Sequence, residues 1–225
     1  IFDLLDEKTI PYLTLNIDAE ETNRLCFIGP DYHAEGRLVA ELFCKFLPRN
    51  ALVAIIHSSS PQNENLHGAN IFGSRLSGFE GFMRGAETPI MYRVVPIDYE
   101  ASTGSIVKEL RQFIAREGKN TQAIYCIPPV HDLLCKLIEE NELTGRIKIV
   151  GPDLSPEIRK YLENGTLTAE IYQNPILQGY TAVKILEHYL ETGRLPGDKI
   201  LHVVHDIVLK ENIRIFNNHT LFTDL

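Results

Sequence analysis

Short, almost wholly apolar runs alternate along this chain with longer stretches whose apolar residues recur at helical spacing. Ala51–Ile56 is unbroken apolar sequence, the pattern of a parallel strand covered by helices on both faces. Tyr92–Ile97, Gln122–Ile127, Ile147–Val150 and Thr168–Tyr172 read as further strands, and Ile10–Asp18 and Leu25–Gly29 as two earlier ones. Between them the spacing predicts helices from Asp31 to about Leu47, Phe72 to Gly85, Ser102 to Glu117 and Val130 to Asn141. A short helix opens at Ser155-Pro156, and a longer one runs from Pro175 to about Glu191 and stops at Gly193. A last strand, Ile200–Leu209, precedes a tail to Leu225. Strand and helix alternate in series from Ala51 to Tyr172, which implies parallel βαβ units with right-handed crossovers and an α/β fold.

In such sheets ligands sit beyond the carboxyl ends of the strands. Asp31, Arg75, Asp153 and Gln173 all fall there, just after a strand or in the first turn of the next helix. Carboxylates accept from hydroxyl groups and a guanidinium donates in a fixed fork, so this set suits a polyhydroxylated ligand. Each residue also has a purely structural reading, as a helix cap or a solvated helix-start side chain. The long polar segment His57–Ile71 adds Ser58 and Ser60 as hydroxyl-bearing candidates.

Composition narrows the function classes. A net charge of −8, with scattered Lys and Arg, argues against this chain gripping nucleic acid itself. No apolar run approaches the roughly 20 residues of a membrane span. Four cysteines, Cys26, Cys44, Cys126 and Cys135, lack metal-ligand spacing and read as free thiols, which favours a reducing, cytoplasmic setting. No phosphate-cradling glycine loop, nucleophile elbow or zinc-protease motif occurs. His202 and His205 are spaced poorly for a metal on a strand. No enzyme, metal or cofactor is expected, although acid–base chemistry at Asp153 or His57 stands as an alternative.

Taken in order, Ile10-Pro11 to Asp18, Asp31 to Gly36, Ala51–Ile56, Arg75-Leu-Ser-Gly78-Phe79, Ile149 to Asp153, Gln173-Asn174-Pro175 with Gly179, and Asp206 to Leu209 resemble the effector-binding core of the LacI/GalR family. The resemblance covers nearly the whole chain. It implies the type I periplasmic binding protein-like fold: two doubly wound parallel-sheet lobes joined by a hinge of three crossings. The expected division is residues 1–47 with 175–202 in a partial N-terminal lobe, and 48–174 with 203–225 in the C-terminal lobe. The crossings are expected near Pro48, Gln173–Pro175 and Leu201–Val203. An incomplete first lobe would expose sheet edges and apolar helix faces.

By matching position, the resemblance makes Asp31 the first-lobe ligand aspartate, Arg75 the arginine that holds hydroxyls or a carboxylate from the second lobe, and Asp153 with Gln173 the pair near the hinge. It implies a carbohydrate effector, a homodimer, and operator DNA contacted only through a headpiece absent from this chain. An extracytoplasmic sugar-binding protein of a transporter would share fold and cleft. One departure stands out: Pro128-Pro129 replaces the Asn-Asp pair that the family usually carries, removing a typical sugar contact.

Overall fold

The computed structural model describes residues 1–59, 70–87, 89–214 and 216. Its strands form two sheets. A three-stranded parallel sheet has the order β1 (Thr14–Leu15), β2 (Phe27–Pro30), β8 (Ile200–Val203). A six-stranded sheet has the order β4 (Met91–Ile97), β3 (Leu52–Ser58), β5 (Ala123–Cys126), β6 (Lys148–Pro152), β7 (Ala169–Tyr172), β9 (Asp206–Val208). Five of its strands are parallel, and β9 runs antiparallel on β7.

The alternation inside each apolar run decides what each face meets. Val53 and Ile55 point to one side of β3, Ala54 and Ile56 to the other. The first side packs on α2 (Tyr32–Phe46) and α3 (Ile71–Gly85) through Val39, Phe43, Phe79 and Met83. The second packs on α4 (Thr103–Glu117), α5 (His131–Glu140) and α6 (Pro156–Asn164) through Leu110, Leu134 and Ile158. The result is a three-layer, doubly wound α/β arrangement. The smaller sheet packs Cys26 and Ile28 against Ala182 and Ile185 of α7 (Pro175–Thr192). Tyr180, Val183 and Leu190 of α7 are exposed.

Short polar side chains start the helices as their sequence positions require. Asp31, Asn70, Ser102, Ser155 and Asn174 each accept from a backbone N–H three residues on. Pro156 and Pro175 occupy the first helical turn, where no N–H is needed.

The sequence pattern misplaces several boundaries. The strand expected at Ile10–Asp18 contracts to Thr14–Leu15, because Asn16 takes a left-handed φ of 65° and Ile17 N–H turns back to the Leu15 carbonyl. Phe2–Glu7 forms a short helix, α1, that the pattern leaves unassigned. The strand expected at Ile200–Leu209 is two strands in different sheets, because the chain passes from one sheet to the other at Val204-His205.

The expected assignment of residues 1–47 to one lobe does not match the packing. α2 lies on α3 and its apolar face enters the core of the six-stranded sheet, so the first passage between sheets falls at Pro30–Asp31 and not at Pro48. Periodicity says that α2 buries one face, and is silent on which sheet receives it.

The α2–α3 contact is unusually close and reciprocal. A Cβ on Gly36 would lie 1.9 Å from the Arg75 carbonyl oxygen, and one on Gly78 would lie 2.0 Å from the His33 carbonyl oxygen. Both clashes are with backbone, so the helices themselves would have to part. Gly36→Ala or Gly78→Ala should therefore cost about 1–3 kcal/mol of stability. Urea denaturation of the two variants checks this, and a cost below the fitting error would show that the helices separate freely.

Candidate functional site

The strand order β4-β3-β5-β6-β7 reverses direction between β3 and β5, and a crevice opens at the carboxyl ends of such a pair. Arg75, on the second turn of α3, reaches this point: its Nη1 lies 3.4 Å from the carbonyl of Ile127, just beyond β5. Arg75 is only 3% exposed. Its fork meets the carboxylate of Glu35 on α2, Nε to Oε1 at 2.9 Å with a poor donor angle and Nη2 to Oε2 at 3.1 Å. Glu35 is wholly buried. The close approach at Gly36 and Gly78 sets the two side chains face to face.

Three further groups surround this pair. The ring of Tyr32 lies under the guanidinium, 5.0 Å from centroid to Cζ, and its hydroxyl donates to the Asn16 carbonyl beyond β1. His205, beyond β8, places Nε2 3.6 Å from Glu35 Oε2. The buried Tyr125 hydroxyl sits close enough to Glu35 to favour its ionised form. The carboxyl ends of both sheets thus converge on one buried ion pair, joined by residues from each.

A second buried pair adjoins it. His131, at the start of α5, sets Nε2 3.0 Å from Oε1 of Glu170 on β7, and both side chains are almost fully enclosed. The ring packs so tightly over β6 that a Cβ on Gly151 would lie 3.1 Å from it.

Burial governs the protonation of these groups. Glu35 is pushed up to about 7 by its loss of water, opposed by Arg75. Glu170 is pushed up to about 7 by the same cause, opposed by His131. Burial disfavours the charged ring of His131, but Glu170 outweighs it and raises its pKa. His205 is pushed down to about 4 by burial and by Arg75. Asp153 is raised by the protein packed around it, opposed by Arg75 and His131, although its side chain keeps an open face to water.

Of the residues singled out in the sequence, Asp31, Arg75 and Asp153 are brought into one electrostatic neighbourhood. Asp31 and Arg75 both act on His205, and Asp153 acts on Arg75. Asp31 also caps α2 through Ala34 N–H at 2.9 Å. Asp153 holds a left-handed φ of 70° and Asn174 one of 49°, conformations that cost free energy and concentrate where function fixes a side chain. Gln173 is buried beyond β7 and its carbonyl accepts from Gln178 of α7, which ties it to the passage between sheets. Ser58 is buried at the end of β3. Ser60 lies outside the described residues. Glu35, Glu170, His131 and His205 were not among the sequence candidates. A lone acid inside the apolar run Thr168–Tyr172 was a usable signal for Glu170, since a charge there demands a partner.

Among the described residues no group of three or more His, Cys, Asp or Glu side chains could hold a metal ion, and no helix is long and apolar enough to cross a membrane.

Comparisons with known proteins agree with this architecture. The D-allose-binding periplasmic protein of Escherichia coli (strain K12) is 32% identical over 88 residues, a match spanning 38% of this chain and 28% of that protein. The structure superposes on GanP, a glucose-galactose binding protein from Geobacillus stearothermophilus, with a TM-score of 0.77 at 22% identity, covering 94% of this chain and 72% of that one. A putative LacI transcriptional regulator from Bacteroides fragilis gives a TM-score of 0.79 at 21% identity, covering 95% and 72%. Residues 1–194 match the periplasmic binding protein domain, and the chain belongs to that family.

Proposed function

We propose that this chain binds a small carbohydrate where the carboxyl ends of its two sheets converge, and that binding draws the two sheets together. The observation that carries the reading is the convergence itself. Asp31 follows a strand of the small sheet and Asp153 one of the large sheet; Asp153 interacts with Arg75 at the reversal point of the strand order, and Asp31 and Arg75 both act on His205. Carboxylates placed on both sides of a crevice accept hydroxyl donors from a ligand that bridges them, and a bridging ligand favours the closed arrangement by its differential affinity. The carbohydrate-binding proteins among the relatives support this ligand class.

What closure controls has two readings. In the first, the chain is the effector core of a LacI-type transcription regulator that works as a homodimer, with a separate headpiece on DNA; the four free thiols and the fit to the B. fragilis regulator favour it. In the second, it delivers sugar to a transporter, which the D-allose-binding relative favours. A helix-turn-helix or an export leader in the full-length protein decides between them.

Calorimetry with D-allose, D-glucose, D-galactose, D-ribose and L-arabinose tests the ligand class. Against the sugar that binds, Asp153→Ala should lose about 1–3 kcal/mol, the cost of leaving buried polar partners unpaired. Unchanged affinity in that variant would remove Asp153 from the site.

A further inference from the structure

We infer that Glu35 sets the charge selectivity of the cleft: by engaging the fork of Arg75 inside the protein it withholds that fork from a ligand anion, so the site takes an uncharged polyol and rejects acidic ones such as uronates and sugar phosphates. This rests on the carbohydrate reading above.

The geometry is the argument. An arginine at a cleft is ordinarily the group that would hold a ligand carboxylate or phosphate, because its fork matches those anions in two parallel hydrogen bonds. Here that fork already faces acceptors inside the protein. Nε and Nη2 face the two oxygens of Glu35, Nη1 faces the Ile127 carbonyl, and the ring of Tyr32 covers one face. An incoming anion would have to displace a carboxylate that is itself wholly buried and has no water to retreat to. The second pair is likewise closed, since Glu170 meets the His131 ring. The remaining carboxylates are Asp31, half-buried, and Asp153, exposed; the two cations that act on Asp153, Arg75 and His131, each already face a buried glutamate. His205, kept neutral by burial and by Arg75, supplies no positive charge. A second negative charge in such a crevice meets like-charge repulsion, which rejects a ligand more strongly than an unfilled hydroxyl pocket does.

Paired probes test this, each pair differing in one acidic group: D-galactose against D-galacturonate, D-glucose against D-glucuronate, D-ribose against ribose 5-phosphate. For a neutral sugar that binds, its acidic counterpart should bind at least ten-fold more weakly. The gap should narrow in Asp153→Asn, a replacement that suits the left-handed φ of that exposed position, and in Glu35→Gln, which frees the guanidinium. An acidic member binding as tightly as its neutral partner overturns the inference and leaves the carbohydrate reading standing. If no sugar of either kind binds, the carbohydrate reading falls and inorganic phosphate decides the charge rule alone. A rise in Tm with phosphate beyond that given by sodium chloride of equal ionic strength in the unaltered protein overturns it; such a rise confined to the two variants upholds it.

Discussion

Arg75→Met should cost about 3–5 kcal/mol of folding stability, the loss expected when one partner of a buried ion pair is removed and the other charge stays enclosed. Glu35 is wholly buried, and Arg75 supplies the cationic fork against its carboxylate. The stranded acid can relieve part of the loss by taking up a proton, which its pKa of about 7 beside Arg75 already makes accessible. The double variant Arg75→Met/Glu35→Leu should recover most of the loss, because apolar side chains of similar volume need no partner in the α2–α3 layer. Denaturant midpoints at constant m-value measure both. A single variant within about 1 kcal/mol of the parent, or a double variant as unstable as the single, would mean that the pair is not enclosed as described. Ligand affinity should not recover with stability in the double variant. The pair holds α2 and α3 at the reversal point of the sheet, and the replacement removes both of its charged groups from there.

What the sequence reveals of this site depends on whether the deciding contact is local. Asp31 and Asp153 are legible because each stands one step past an apolar run, and strand ends in a parallel sheet are where a crevice forms. Arg75 is legible as a helix-start cation, but its availability to a ligand is not. Glu35 reads as an ordinary acid in a first helical turn, favourable to the helix dipole and expected in water. Its burial comes from the close approach of a helix some 40 residues away in sequence, permitted by Gly36 and Gly78. His131 is hidden for the same reason: its partner Glu170 lies two strands along the sheet from β5, a distance only the strand order defines. The fold class, by contrast, follows from repeating local units, and the alternation of strand and helix carries it with little tertiary information.

Between pH 5 and pH 8 the folded chain should lose stability as the pH rises, by about 1–3 kcal/mol in total. Glu35 and Glu170 each sit near 7 in the folded chain because burial disfavours their charge, against an ordinary carboxyl value of 4.5. A carboxyl group raised in this way is best tolerated when protonated, and its contribution falls as the pH climbs from the unfolded value toward the folded one. His131 adds to the same slope: burial opposes its charge, Glu170 outweighs burial, and stability supplied by the raised imidazolium is lost above its folded pKa. Over this window the native state therefore holds more protons than the unfolded chain, which makes the slope of stability against pH negative. His205 works in the other direction, since its pKa of about 4 means that the native ring stays neutral while the unfolded one still binds a proton. One opposing group is outnumbered by three. Urea denaturation at pH 5, 6, 7 and 8, at constant ionic strength, reads the slope directly. Glu170→Gln should flatten it, because the amide removes one titrating carboxyl and also the charge that raises His131. A parent curve that rises from pH 5 to pH 8 would show that the Glu35 and Glu170 carboxyls are more open to water than their enclosure implies.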